Sequence, residues 1–188
     1  MLFRSPSDGP FVAHGISIEG RVGPYFSPTG ISPDHPDFDF VRIGARIGFM
    51  LNAASKWSGP LRGNFEALFE VAGGPTFDGF GDWLVGPTGW IRYNFVQPGW
   101  RVVPCVQGGL GIVFSDAYQD KQQDAIGTNP EFSVQAAVGM HVLLDAHWSL
   151  DLEGGYEHIS NAGIARRNNG VNALGASVGF TYFFDQAS

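Results

Sequence analysis

The sequence predicts an all-β protein: an eight-stranded antiparallel transmembrane β-barrel of the bacterial outer membrane. Three observations lead there. Apolar and polar residues alternate along about eight segments, most of them roughly 9–14 residues long. That is the length a tilted membrane-crossing strand needs, roughly 9–11 residues, and longer than the soluble norm of about 5–6. The apolar parity is nearly continuous, while the other carries Arg, Glu, Gln and Gly, which suits a polar, Gly-lined interior and a lipid-facing exterior. Long polar connections alternate with short turns, as they do in outer-membrane barrels. No segment shows a sustained helical period, and no apolar run approaches the 18 residues of a membrane helix.

The elements follow in order. Residues 14–22 put Ile16, Ile18 and Val22 opposite Ser17, Glu19 and Arg21. Residues 40–51 put Val41, Ile43, Ala45, Ile47, Phe49 and Leu51 opposite Arg42, Gly44, Arg46 and Gly48. Residues 64–72 set Phe65, Ala67, Phe69 and Val71 against Glu66 and Glu70. Residues 83–95 set Ile91, Tyr93 and Phe95 against Arg92 and Asn94. Residues 100–115 place Val102, Val106, Leu110, Ile112 and Phe114 opposite Gln107, Gly109, Gly111 and Ser115. Residues 132–145 place Val134, Ala136, Val138, Met140, Val142 and Leu144 opposite Ser133, Gln135 and His141. The last two strands are "HWSLDLEGGYEHIS" and "VNALGASVGFTYFF". Arg42, Arg46, Glu66, Glu70 and Arg92 then share the lumen and are expected to pair there.

Between strands, "VQPGW" and "LDAHW" read as tight turns, and "NAASKWSGPLRG" is the one long connection at that end. "PYFSPTGISPDHPDFD", "GGPTFDGFGD", "SDAYQDKQQDAIGTNPE" and "ISNAGIARRNNG" read as long loops at the other. Aromatics near strand ends (Phe40, Trp83, Phe95, Trp100, Phe114, Phe132, Trp148, Tyr156) suit interfacial girdles. Ser177, Gly179, Tyr182 and Phe184 resemble the C-terminal signal of outer-membrane barrels, although "DQAS" follows. The domain reading is an N-terminal extension over 1–13, the barrel over 14–184 and a tail over 185–188. "MLFRSPSDGPFVAHG" lacks the long apolar core of a signal peptide, so either such a peptide is already removed or the chain is not exported.

Composition narrows function. A net charge of −7 argues against nucleic acid as a partner. Charged residues are 15% of the chain, against roughly 25% in ordinary soluble domains. Cys105 is the single cysteine, which excludes an internal disulfide and a cysteine-built zinc site. His14, His35, His141 and His147 show no ligand spacing, so no metal and no cofactor is expected. The acidic loop around Asp116–Asp124 reads as solvated.

One polar group breaks the apolar parity. His158 and Ser160 continue the face of Trp148, Leu150, Leu152, Gly154 and Tyr156, and Asn172 continues that of Leu174, Ala176, Val178, Phe180 and Tyr182. With regular strands and an N-terminus inside the cell envelope, all three point outward near the outer leaflet. Residues two apart on a strand lie roughly 6–7 Å apart, a gap that an imidazole and a hydroxyl close. His as base and Ser as nucleophile is the minimal acyl-transfer pair, because a serine hydroxyl does not ionise unaided. The loop beyond offers Gly163 and Gly170 for close backbone approach and Asn161, Asn168 and Asn169 as candidate oxyanion donors. Arg166 and Arg167 suit phosphate contacts as well as they suit a solvated loop.

"YEHISNAGIARRNNGVN" resembles the signature of the lipid A 3-O-deacylase family, His-x-Ser-Asn followed by Gly and then Asn-x-Gly, with His158, Ser160, Asn161, Gly163, Asn168 and Gly170 in place. The resemblance implies an eight-stranded outer-membrane barrel with an outward active site. It also implies Ser160 as nucleophile, His158 as base, an oxyanion site near Gly163 and Asn168, and lipid A (lipopolysaccharide) of the outer leaflet as membrane-embedded partner. The best-known family members carry Glu, as the third triad member, where this chain has Asn172. An amide oxygen can orient the imidazole but adds no charge, and in a serine protease the equivalent change costs about 10⁴ in turnover. Glu157 has the opposite parity and is a poor substitute. The expected function is therefore a serine esterase removing the 3-O-linked hydroxyacyl chain of lipid A. The alternative is a non-catalytic small barrel with a structural or adhesion role. A soluble lipid-binding barrel would need an apolar lumen, which the inner parity denies.

Overall fold

A computed structural model describes residues 9–28, 37–54 and 58–185. Residues 1–8 of the expected extension, 186–188 of the expected tail, and His35 lie outside the described residues. Eight antiparallel strands close into a barrel: β1 (Ile16–Phe26), β2 (Asp39–Met50), β3 (Asn64–Asp78), β4 (Trp83–Asn94), β5 (Val102–Ser115), β6 (Glu131–Leu143), β7 (Trp148–Ser160) and β8 (Val171–Phe183). Each strand pairs with its sequence neighbour, and β1 pairs with β8, so no edge is left open. Short 3₁₀ turns at Gly59–Leu61 and Ala117–Gln119 lie in the connections.

Two strands run further than their sequence suggests. β1 continues through Gly23 and Pro24, and β3 through Gly73, Gly74 and Pro75, all residues that ordinarily punctuate strands. Their partners keep them in register. Gly23 and Pro24 oppose Arg42 and Val41, while Gly73, Gly74 and Pro75 oppose Val85, Leu84 and Trp83. The β3–β4 connection is consequently a tight tip, not a long loop.

The alternating pattern sorts side chains by environment. Ile43, Phe69, Ile91, Leu110, Val138 and Phe180 are exposed on the outer wall. The lumen carries an ion-pair lattice. Arg46 reaches Glu19 (3.2 Å), Glu70 (3.0 Å) and Glu153 (3.1 Å). Arg42 joins Glu157 (2.6 Å) to Glu70 (3.2 Å), and Arg92 joins Glu19 (2.8 Å) to Glu66 (3.4 Å). The expected five charged residues thus pair inside, together with Glu19, Arg21, Glu153 and Glu157. Buried charges of this kind persist only when paired and hydrogen-bonded.

Apolar clusters close both ends of the lumen. At the turn end Phe11 is fully buried with Met50, Val96, Val103, Leu143 and Phe183. At the loop end Tyr25, Phe38, Phe40, Phe80, Leu84, Ile126 and Ile159 pack together. Phe40 is therefore no girdle residue. It shares the inward parity of Arg42, is fully buried, and stacks on Tyr25 with ring centroids 5.4 Å apart. Trp83, Trp100, Phe114, Phe132 and Trp148 do stand exposed on the outer wall.

Candidate active site

The strand period alone brings the outward trio together. On β7, Tyr156, His158 and Ser160 share the outer face, while Glu157 and Ile159 between them are fully buried in the lumen. His158 lies directly opposite Asn172 on β8 and Val134 on β6. Its Nε2 is 3.0 Å from Ser160 Oγ and its Nδ1 is 2.8 Å from Asn172 Oδ1. Both are hydrogen-bond distances, so Ser160, His158 and Asn172 form one continuous chain. The Tyr156 hydroxyl donates to the same Asn172 Oδ1 at 2.6 Å.

Glu157 cannot stand in for the missing acid. It faces inward and bonds Arg42 (2.6 Å) and the Ser133 hydroxyl (2.7 Å). A second Ser, His and Asp group, Ser149, His141 and Asp151, sits buried in the lumen. There Ser149 donates to Asp151 (2.6 Å), and both face His141 Nδ1, leaving no imidazole nitrogen between hydroxyl and carboxylate. It is a structural knot.

The loop after β7 turns back through Ala162 and Gly163, both at positive φ (54° and 82°). Asn161 organises it from within. Its Oδ1 accepts from the backbone N–H of Gly163 (3.1 Å) and Ala165 (3.3 Å), and its Nδ2 donates to the Arg167 carbonyl (2.9 Å). Asn161 N–H in turn donates to Asn168 Oδ1 (2.7 Å). Asn168 is thereby fastened beside Ser160, and its Nδ2 has no hydrogen-bond partner among the described residues. Gly170 closes the loop at φ 78°. A Cβ there would stand 2.9 Å from Ile159 O and 3.1 Å from His158 Cε1, so the close approach requires glycine.

The loop docks on the β5–β6 connection. Asn169 and Gly170 N–H donate to Asp124 O (2.9 Å) and Ala125 O (3.0 Å). Arg167 donates to the carbonyls of Tyr118 (2.7 Å), Asp120 (2.6 Å) and Gln123 (3.2 Å). Of the residues named from sequence, Ser160, His158 and Asn172 are joined by hydrogen bonds, and Asn168 is held to the N–H of Asn161, next to Ser160 in the chain. The side chain of Asn161 and the N–H of Gly163 are engaged inside the loop, Arg167 is tied to the neighbouring loop, and Arg166 stands exposed.

Sequence reasoning did not single out two features. One is the Tyr156 hydroxyl, although its parity placed it on the same face. The other is an open groove of about 640 Å³ on the outer wall below the trio, lined by Val106, Ala136, Val138, Gly154, Tyr156 and Leu174. It exists because Ala136 and Gly154 present almost no side chain on a wall otherwise built of Val and Leu; the signal was the small residues at outward positions.

Comparisons with known proteins agree with this architecture. A comparison with curated protein sequences finds no match. Among solved structures, the chain is similar to Neisserial surface protein A (NspA), at 10% identity and a TM-score of 0.62, over 90% of this chain and 97% of that one. It is similar to the outer membrane enzyme PagL at 15% identity and a TM-score of 0.58, over 87% and 97% of the two chains. The outer membrane protein OprG from Pseudomonas aeruginosa matches at 12% identity and a TM-score of 0.57, over 95% and 100%. At such identities these likenesses speak for the fold. The sequence itself matches the family model described as lipid A 3-O-deacylase (PagL) over residues 39–181, most of the barrel, and so this outer-membrane chain belongs to the lipid A 3-O-deacylase family.

Proposed function

We propose that the protein is a serine esterase that removes the 3-O-linked hydroxyacyl chain of lipid A. The observation that carries the reading is the unbroken Ser160–His158–Asn172 chain on the outer wall of the barrel. In the first step Ser160 Oγ attacks the ester carbonyl while His158 Nε2 takes the hydroxyl proton. The oxyanion forms against the Asn168 amide, the donor left uncommitted by the loop. Collapse of the tetrahedral intermediate breaks the ester bond. The departing sugar oxygen receives the proton from His158, and the acyl group stays on Ser160. Water, deprotonated by His158, then releases the fatty acid and restores Ser160. Asn172 holds the imidazole with its proton on Nδ1, so that Nε2 is free to act as base.

The position of the site suits a substrate that is itself a membrane lipid. Lipid A reaches the wall by lateral diffusion, and the groove over Ala136 and Gly154 takes the acyl chain, beginning at Tyr156, about 7 Å along β7 from His158. Exposed Arg166 stands on the loop side, where lipid A phosphates would lie.

The test is mass spectrometry of lipid A incubated with the detergent-refolded protein, beside Ser160→Ala. Loss of one hydroxyacyl mass with the parent alone is expected. No loss with a demonstrably folded barrel would favour the non-catalytic reading, for which the amide at position 172 is the specific argument.

A further inference from the structure

We infer that Tyr156 is a positioning residue, fixing the Asn172 carboxamide so that its oxygen faces the imidazole. The inference builds on the reading of Ser160 and His158 as the reacting pair. A carboxylate at this position would present an acceptor whichever way it turned. A carboxamide does not: rotated by half a turn about its last bond, it offers N–H to His158 Nδ1. Nδ1 would then be the acceptor and the imidazole proton would sit on Nε2, facing Ser160. In that tautomer His158 cannot take the serine proton. An amide in the third place therefore needs something else to fix its orientation.

Tyr156 meets that need. It stands two residues before His158 on the outer face of β7, and its hydroxyl lies 2.6 Å from Asn172 Oδ1. That separation is usual for O–H···O and short for an amide N–H donor, so the oxygen is the atom at this vertex. His158 Nδ1 bonds the same oxygen at 2.8 Å. Two donors on one acceptor do not strengthen each other, so the contribution of Tyr156 is geometric. Its strand places the phenol and the imidazole on one side of Asn172, and because an acidic phenol donates more strongly than it accepts, its bond at this length favours the orientation that turns the oxygen toward both.

The experiment uses full-length protein refolded in detergent with ¹⁵N-labelled histidine, His158 being assigned by its loss in His158→Gln. In the parent, neutral His158 is expected mainly as the Nδ1–H tautomer. In Tyr156→Phe, which keeps the ring, the signal should move toward the Nε2–H form. On lipid A, Tyr156→Phe should lower kcat about three- to tenfold and leave KM unchanged, the effect of one neutral hydrogen bond. In the Asn172→Asp background, where both oxygens accept, the same substitution should cost nothing.

An unchanged tautomer signal in Tyr156→Phe would overturn the inference, as would an equal fall in kcat in both backgrounds, which is what a merely structural tyrosine would give. If the parent and Ser160→Ala are equally inactive on lipid A, the esterase reading fails, and the tautomer signal still decides the role of Tyr156.

Discussion

At the scale of single residues, the candidate chemistry rests on four side chains of β7 and its loop, Tyr156, His158, Ser160 and Asn168, plus Asn172 from β8. Ser160→Ala is expected to reduce lipid A deacylation to the level of lipid A alone, read by mass spectrometry. Asn168→Ala should lower kcat about 10²–10³-fold, the usual effect of removing one oxyanion donor. Asn172→Asp should raise kcat by roughly tenfold, because the imidazole is already oriented and the carboxylate adds the charge that stabilises the imidazolium. Turnover of lipid A by the parent and each variant checks all three. His158, Ser160 and Asn172 were legible because a strict two-residue period leaves a polar residue on a lipid-facing wall without a structural excuse. The separate roles of Asn161 and Asn168 were not. Both are loop asparagines of the same chemistry, and only the folded loop determines that the Asn161 amide is enclosed while the Asn168 side-chain N–H groups meet no partner among the described residues.

At the scale of elements, alternation placed every strand, because the two faces of a barrel wall meet opposite solvents. It failed at strand ends. Gly23, Pro24, Gly73, Gly74 and Pro75 are local breakers held extended by partners distant in sequence, and that pairing is not written in the segment itself. The docking of Arg167 on three carbonyls of the β5–β6 loop was illegible for the same reason. The β6–β7 turn carries its own signal. Asp145 Oδ1 accepts from the N–H of His147 (2.7 Å) and Trp148 (2.9 Å). The His147 N–H bond above all holds its carboxyl below the ordinary value of 3.8. A depressed carboxyl stabilises the fold above its unfolded-state value, and the contribution is lost as pH falls through the folded-state value. The stability difference between the parent and Asp145→Ala, followed by denaturant unfolding in detergent, is therefore expected to be present at neutral pH and to vanish in strong acid.

At the scale of the whole molecule, the inward parity gathers charges from most of the strands into one lattice. Arg46 alone joins Glu19, Glu70 and Glu153. Arg46→Met should destabilise the barrel by about 3 kcal/mol, because it leaves the buried lattice one positive charge short, with Glu70, Glu19 and Glu153 left to Arg42, Arg92 and Arg21. The midpoint of guanidinium unfolding checks it. The sequence indicated that these charges point inward; which acid meets which arginine depends on the stagger of strands around the closed barrel. The apolar seals at both ends carry a different consequence. Among the described residues, Phe11 with Phe183 below and Phe38 with Phe40 above fill the lumen with apolar side chains at both ends, which bars a continuous watery path for ions. A planar bilayer containing the protein should stay electrically silent. A cell could carry many copies without loosening its permeability barrier, since all the traffic the fold invites runs along the outside of the wall.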